Sequence, residues 1–346
     1  MRWLSDRTVE RLRAAGSEID LTHTRYRLIE PIGRGGMGTV YLVEDPALDR
    51  RVALKVLDLP DAGGELTARL IQEARVLARL EHPGIVPVHD VGELEDGRVF
   101  YTMKFVRGDR LDRWVRSGVS LRQRLVVFRR LCEAVAFAHA QRVLHRDLKP
   151  QNIMVGAFGE VLVMDWGVAK ILRNLDEEPT LRMTPEASPE SLSARSPGAS
   201  PQTRHGTVLG TPGYMPPEQA RGESAQLDER ADVYALGAVL AFLLGGRAAA
   251  EMGARSASKP RWGRGVPRAL RAVAEMAMRA EPAERYRGAD ELAAEVDRFL
   301  EGRPVMAHPE SILLRAGRFL WKHRIAVILL LVYAIVRALV LLAERP

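Results

Sequence analysis

The stretch His145-Arg146-Asp147-Leu148-Lys149-Pro150-Gln151-Asn152 constrains this chain more than any other feature. It places a carboxylate at Asp147, an ammonium at Lys149 and a carboxamide at Asn152. Such groups can accept a proton, lie beside a negatively charged substrate and ligate a hard cation. The alternative is a charged turn between a helix and a strand. Because such a turn needs no fixed spacing of three functional groups, we interpret the stretch as a candidate site.

A glycine-rich run near the N-terminus separates two predicted strands, Tyr26–Ile32 and Thr39–Glu44. It reads Gly33-Arg34-Gly35-Gly36-Met37-Gly38, a G-x-G-x-x-G pattern that dinucleotide-binding folds also carry between a strand and a helix. Here it joins two β-like runs instead. Glycines allow backbone N–H groups to approach phosphates closely. The pattern therefore favours a loop that covers nucleotide phosphates.

A lysine and a glutamate follow at a separation that suggests a pair. Lys55 lies in the predicted strand Arg51–Leu57, where it could also be a lysine whose stem covers apolar surface. Glu73 lies in the predicted helix Glu65–Leu80, in which Glu65 is the rival partner. The spacing favours a pair between Lys55 and Glu73.

Further motifs follow in order. The predicted helix Leu121–Arg142 leads into the Asp147 stretch, and the predicted strand Glu160–Met164 ends in Asp165-Trp166-Gly167. Asp165 alone could be an ordinary turn residue, but its place thirteen residues after Asn152, in this order of motifs, argues against that. Later come Gly210–Glu218, a buried helix that opens at Asp232, and Arg285.

This ordered set resembles the bacterial Hanks-type Ser/Thr protein kinases from about Tyr26 to Leu300. The resemblance implies an α+β fold with two lobes, the bilobal protein-kinase fold: a small β-rich lobe and a larger helical lobe. We expect the kinase domain to span residues 26–302, with an enlarged activation-segment insert at 171–206. The insert is rich in Ser, Pro, Glu and Arg and lacks core periodicity.

The same resemblance implies a role for each motif residue. Asp147 would be the catalytic base and Lys149 would lie beside the transferred phosphoryl group, while Asn152 and Asp165 would bind Mg²⁺ or Mn²⁺. Glu218 and Arg285 would form an ion pair, and Asp232 would hold the backbone of the catalytic loop. The residues expected to bind or orient ATP are Ile32, Gly33, Gly35, Gly38, Val40, Ala53, Lys55, Glu73, Met103, Lys104 and Val106.

The expected activity is transfer of the ATP γ-phosphate to Ser or Thr of protein substrates, because Lys149 with Thr211 is typical of Ser/Thr acceptors. The alternative is a catalytically silent scaffold of kinase fold that binds partner proteins. Silent relatives usually lose the lysine, the base or the metal-binding Asp, and this chain keeps all three. The weakly patterned region 245–265 leaves substrate docking open.

Regulation by phosphorylation is suggested by Arg146, directly before Asp147. A phosphate on Thr203 or Thr207 could pair with this arginine. A homodimer could add that phosphate by autophosphorylation in trans. The alternative is that both threonines are solvated loop residues.

The C-terminal part predicts a membrane anchor. Residues 325–343 are apolar except for Arg337, and that length spans a bilayer. The segment 303–324 before them is basic, which places the kinase side in the cytoplasm, at the inner membrane. The alternatives are a buried core helix or an interfacial one. With three residues after Ala343, we expect no extracytoplasmic domain.

Composition bounds the remaining possibilities. Residues 1–25 form an extension of unknown role without the apolar run of a signal peptide. The net charge of +7 is spread along the chain among acidic residues, so we expect no nucleic-acid partner. The single cysteine, Cys132, excludes an intrachain disulfide.

Overall fold

The computed structural model describes most of the predicted kinase domain as two lobes. The described residues are 19–34, 38–58, 64–166, 170–171, 213–223, 227–245, 262–263, 265–308, 328–329 and 332–337. Of the predicted site residues, Gly35, Thr203 and Thr207 lie outside these ranges, as do Thr211 and all of the 171–206 insert after residue 171.

The first lobe is a five-stranded antiparallel sheet with the strand order β1-β2-β3-β5-β4. The strands are β1 (Arg27–Arg34), β2 (Thr39–Asp45), β3 (Arg50–Val56), β4 (Val88–Glu93) and β5 (Val99–Lys104). Helix α1 (Glu65–Arg79) packs on one face, because Leu70, Ala74 and Leu77 recur on one side of the helix and are all buried.

The opposite face of the sheet carries its own small core. Ile19, Leu21 and Tyr26 are buried there against Phe100 and other strand residues. The packed part of the chain therefore includes residues 19–25, which the sequence had placed in an extension of unknown role.

The second lobe is helical. Its helices are α2 (Leu111–Trp114), α3 (Leu121–Ala140), α4 (Pro217–Ala220), α5 (Glu229–Leu243), α6 (Arg268–Ala277) and α7 (Ala289–Leu300). A capping box begins α3: the Ser120 hydroxyl accepts from the Gln123 N–H, and the Gln123 side chain accepts from the Ser120 N–H. The apolar helix α5 lies at the centre of the lobe, in contact with α3, α6 and α7.

Short strands lie where the two lobes meet. The strands β6 (Gly108–Arg110), β8 (Ile153–Gly156) and β9 (Val161–Val163) form one small sheet, and β7 (Val143–Leu144) pairs with β10 (Lys170–Ile171). The Asp147 stretch is thus the loop between β7 and β8. The bilobal α+β architecture expected from the sequence is confirmed.

The predicted membrane span, residues 325–343, lies largely outside the described ranges. Its described residues, 328–329 and 332–337, are helical. Among all the residues that the structure describes, no helix has both the length and the apolar character needed to cross a membrane.

The close approach of α5 to α6 gives a stability prediction. A Cβ added at Gly237 would lie 2.6 Å from the Ala277 Cβ and 2.9 Å from the Met278 Cγ. We therefore expect Gly237→Ala to lower the free energy of unfolding by about 1–3 kcal/mol through overpacking. Urea unfolding measures the change.

The sign of this effect separates packing from helix propensity. Propensity alone would make Gly237→Ala stabilising by about 0.5–1 kcal/mol. Stabilisation would therefore contradict the close approach of the two helices. The double variant Gly237→Ala/Ala277→Gly, which restores the space, should recover part of the loss.

Candidate active site

The loop between β7 and β8 brings its three functional side chains together. The Lys149 ammonium lies 2.6 Å from Asp147 Oδ2. The Asn152 amide donates to the Asp147 carbonyl oxygen at 2.9 Å and lies 3.3 Å from Asp147 Oδ2. The 3₁₀ turn Pro150–Asn152 reverses the chain and makes this convergence possible. An ammonium and an amide thus meet around the carboxylate of Asp147.

The buried carboxylate of Asp232, on α5, holds this loop by its backbone. Its oxygens accept from the N–H groups of His145 and Arg146, both at 2.8 Å. A third donor is His139 Nε2 at 2.9 Å. These contacts fix Arg146 at a φ of 69°, a left-handed conformation that is unfavourable for a residue with a Cβ. The loop conformation therefore depends on a carboxylate far away in the sequence.

The environment of Asp232 keeps that carboxylate ionised. Burial alone would raise its pKa, but the hydrogen bonds from His139 and from the Arg146 N–H outweigh it and lower the pKa. The negative charge that the donors need is thus present over the physiological pH range.

Helix α4 supplies two more anchors. The Gln219 amide donates to the Arg146 carbonyl oxygen at 2.8 Å. Glu218 forms the ion pair expected with Arg285, at 2.6 and 2.8 Å, and both side chains are buried. This bidentate pair ties the end of the predicted substrate segment to the helical lobe.

The β8–β9 hairpin brings Asp165 to the end of the catalytic loop. Ile153 pairs with Val163, and the Met164 N–H donates to the Asn152 carbonyl oxygen at 2.8 Å. Asp165 follows with a φ of 61°, a second strained position at this site. Asn152 and Asp165 therefore flank the same end of one hairpin.

Trp166 has a packing role. It is 1% exposed, and its ring lies 4.7 Å from that of His145. The His145 Nε2–H donates to the Met164 carbonyl oxygen at 3.0 Å. The loop and the hairpin are thus held together around Asp165, whose carboxylate stays half exposed in the cleft.

The sheet lobe contributes a lysine to the same cleft. The Lys55 ammonium lies 2.8 Å from both oxygens of Glu73 and 3.4 Å from Asp165 Oδ1. Burial alone would lower the pKa of Lys55, but the charges of Glu73 and Asp165 raise it above 10.5. Lys55 thus stays charged and links α1 to the hairpin of the other lobe.

The register of the sheet aligns the predicted nucleotide-binding residues. Gly33 pairs with Val40, Val40 with Lys55, and Lys55 with Tyr101. Ala53 pairs with Met103 on the neighbouring strand, and both side chains are buried. After Met103 in the sequence, Lys104 is exposed and Val106 is buried. Ile32 is exposed, beside Gly33 on β1.

Gly38 has a steric requirement of its own. A Cβ at Gly38 would lie 2.0 Å from the Val56 carbonyl oxygen, whereas one at Gly33 would meet nothing within 4 Å. Only glycine therefore fits at position 38 without moving the backbone of β3.

The donor set fits a magnesium ion that also binds phosphates. Asp165 offers a carboxylate and Asn152 an amide oxygen, both hard ligands. Among the described residues, no group of three or more His, Cys, Asp or Glu could hold a metal by itself. Mg²⁺ is commonly bound by one or two protein ligands together with substrate phosphates and water.

Three contacts at the site were not expected from the sequence. Tyr101 donates to Glu73 Oε1 at 2.9 Å, His139 donates to Asp232, and Gln219 donates to the Arg146 carbonyl oxygen. The only local signal was for Gln219, which directly follows the predicted structural residue Glu218.

Sequence and structural similarity identify the family of this chain. The family profile described as the protein kinase domain matches residues 26–261. The chain belongs to the protein kinase family. The crystal structure of the PknI kinase domain from Mycobacterium tuberculosis aligns with a TM-score of 0.56 and 26% identity, over 80% of this chain and 96% of that one. Protein kinases in general use ATP and a divalent metal ion.

Curated relatives of this kinase include two chlamydial proteins. Serine/threonine-protein kinase PknD of Protochlamydia amoebophila is 34% identical over 307 residues, covering 80% of this chain and 30% of that protein. Serine/threonine-protein kinase PknD of Chlamydia trachomatis is 36% identical over 324 residues, covering 86% of this chain and 34% of that protein. The chain thus spans about a third of the length of these relatives.

The three hydrogen bonds that Asp232 accepts lead to a prediction about stability and pH. Asp232→Asn removes the charge that serves three donors, so we expect the free energy of unfolding to fall by about 2–3 kcal/mol near neutral pH. The folded-state pKa is lowered from 3.8, so the stabilisation is complete above that pH and is lost as the pH falls through the folded-state pKa. Urea unfolding of both proteins should show a difference that narrows below a pH of about 4.

A difference that stayed constant or widened in acid would contradict this account. The control is Asp49→Asn, the same substitution at an exposed turn residue with a positive φ that Asn tolerates. It should leave stability nearly unchanged at every pH.

Proposed function

We propose that this protein is an active serine/threonine protein kinase that transfers the γ-phosphoryl group of ATP to protein hydroxyl groups. The observation that carries the proposal is the convergence of two charged sets in one cleft. One set is Asp147, Lys149 and Asn152 on the loop that Asp232 holds. The other is the linked chain of Lys55, Glu73 and Asp165.

Each group has a task in this reaction. Asp147 accepts the proton of the attacking hydroxyl, and Lys149, at 2.6 Å from it, stabilises charge on the transferred group. Lys55 holds the α- and β-phosphates in the orientation set by Glu73. Asn152 and Asp165 would hold a divalent cation, which when bound neutralises charge on the β- and γ-phosphates.

The sheet lobe would form the upper wall of the ATP site. The glycine loop that contains Gly33, Gly35 and Gly38 covers the phosphates with backbone N–H groups. Adenine lies between the Val40–Ala53 side and the Met103–Val106 segment. Backbone groups there bind the base, so the exposed side chain of Lys104 has little influence on affinity.

The choice of acceptor rests on Lys149 and Thr211 in the sequence and on the printed names of the chlamydial relatives. The rival function, a silent scaffold of kinase fold, requires loss of a catalytic group. Lys55, Asp147 and Asp165 are all present. Lys55 contacts Asp165, while Asn152 contacts Asp147 and accepts from the N–H of Met164, next to Asp165.

Phosphate transfer from labelled ATP to a generic protein acceptor tests the function. Wild-type protein should incorporate label into Ser or Thr, while Asp147→Asn, Lys55→Met and Asp165→Asn should each lower the rate at least about a hundredfold, since each loses charge stabilisation of several kcal/mol. The exposed control Asp49→Asn should keep the wild-type rate. Retention of more than about a tenth of the wild-type rate, which corresponds to less than about 1.4 kcal/mol, would refute the assignment for that residue.

We further propose that residues 325–343 anchor the kinase in the cytoplasmic membrane as a single-pass helix. The support is the apolar length of this segment and the preceding basic residues Arg315, Arg318, Lys322 and Arg324. Deletion of residues 322–346 should move the protein from the membrane to the soluble fraction with unchanged kinase rate. Release of the full-length protein by high salt or carbonate would show a peripheral attachment instead.

Autophosphorylation of Thr203 or Thr207, in trans between two copies, is proposed as the activating step. Arg146 supports it, because its Nε is buried and without a hydrogen-bond partner in the described part of the chain. A phosphate near this guanidinium would form charge-assisted hydrogen bonds. The segment that carries both threonines is outside the described residues.

Mass spectrometry after incubation with ATP and magnesium should find phosphate on Thr203 or Thr207. The double variant Thr203→Ala/Thr207→Ala should lose at least about tenfold in rate, whereas Thr184→Ala, at a Thr-Pro site in the insert, should lose nothing. Full activity of the double variant would contradict the proposal.

A further inference from the structure

A buried tyrosine hydroxyl lies next to the ion pair of the small lobe. Tyr101 is the cross-strand partner of Lys55. Cross-strand partners project from the same face of a sheet, so both side chains lie on the face that α1 covers. The next residue, Thr102, projects to the opposite face, where it approaches the hydroxyl of Tyr26.

The contact of Tyr101 is specific. Its hydroxyl donates to Glu73 Oε1 at 2.9 Å, the same oxygen that lies 2.8 Å from the Lys55 ammonium. Tyr101 is 2% exposed, Glu73 1% and Lys55 9%. The carboxylate therefore has two donors that come from neighbouring strands of one sheet.

Nucleotide binding would affect the Lys55 ammonium and the Tyr101 hydroxyl differently. An ammonium has only three N–H groups, and Lys55 already lies near both Glu73 and Asp165. Phosphates in the cleft would share this ammonium with Glu73. A buried carboxylate with a weakened donor is less stable, so Lys55 alone would hold Glu73, and α1 with it, less firmly.

The tyrosine donor does not compete with phosphate. It is uncharged and faces Glu73 from the sheet. Burial, followed by the charge of Glu73, raises the pKa of Tyr101 well above 10, so the hydroxyl keeps its proton at any physiological pH. Glu73 would thus retain a donor while Lys55 binds the nucleotide.

We propose that Tyr101 is a positioning residue of the active site: its hydroxyl holds Glu73, and through it α1 and Lys55, in the arrangement that binds ATP. The inference rests on the proposed kinase activity. It adds a residue of β5 to the set that orients the phosphates. The benzene ring of Tyr101 packs in the lobe, but only the hydroxyl has this task.

Tyr101→Phe tests the inference because it removes the hydroxyl and keeps the ring. In the full-length protein we expect the KM for ATP to rise about tenfold while the KM for the protein acceptor stays unchanged. A partly unfolded enzyme would instead show a lower kcat with both KM values unchanged. The affinity for a non-hydrolysable ATP analogue with magnesium, measured by calorimetry, should fall by a similar factor.

The matched control is Tyr26→Phe. Tyr26 is also buried and donates to Asp90 at 3.0 Å, but it lies on the opposite face of the same sheet. This variant should leave both KM values and the analogue affinity unchanged. In the Glu73→Gln background, Tyr101→Phe should change the analogue affinity less than about twofold, because the residue it acts through is already altered.

Three results would overturn the inference: unchanged ATP affinity in Tyr101→Phe, an equal loss in the Glu73→Gln background, or unfolding of Tyr101→Phe under conditions where Tyr26→Phe stays folded. The last result would make the hydroxyl a structural group. A wild-type protein that transferred no phosphate would refute the proposed function, and the analogue affinities would still decide the role of Tyr101.

Discussion

The active site depends first on one buried carboxylate. Asp232 accepts from two consecutive backbone N–H groups of the catalytic loop and from His139, and it lies on the central helix α5. A buried charge is stable only when its donors are in place. The carboxylate therefore needs the N–H groups of the loop, and the loop needs the carboxylate to keep its conformation. These hydrogen bonds maintain the left-handed conformation of Arg146.

A second charged connection joins the lobes across the cleft. Lys55 comes from the sheet, Glu73 from α1 and Asp165 from the hairpin of the helical lobe. Two contacts of one ammonium thus connect the sheet lobe with the hairpin of the helical lobe. In the proposed function, Lys55 is the cation of this connection that would contact the nucleotide phosphates.

The sequence predicted the parts of this arrangement that short-range spacing determines. Asp147, Lys149 and Asn152 occupy one loop, and Lys55 and Glu73 each lie in a periodic element that could be recognised alone. His139 and Tyr101 could not be found in this way, since each occurs in an apolar run that indicates only core packing. Their partners lie 93 and 28 residues away, and only the tertiary structure brings them together. For the same reason the packing of Ile19 and Leu21 on the outer face of the sheet was not expected.

We propose that this cleft is assembled for ATP and a divalent cation before either binds. A crystal structure of the kinase with a non-hydrolysable ATP analogue and Mg²⁺ tests it most directly. We expect Asn152 and Asp165 to supply the protein ligands of the cation and Lys55 to contact the phosphates. Glu73 should still be bound to Tyr101, and the catalytic loop should be unchanged at Asp232. A nucleotide bound outside this cleft, or a cation held by other residues, would contradict it.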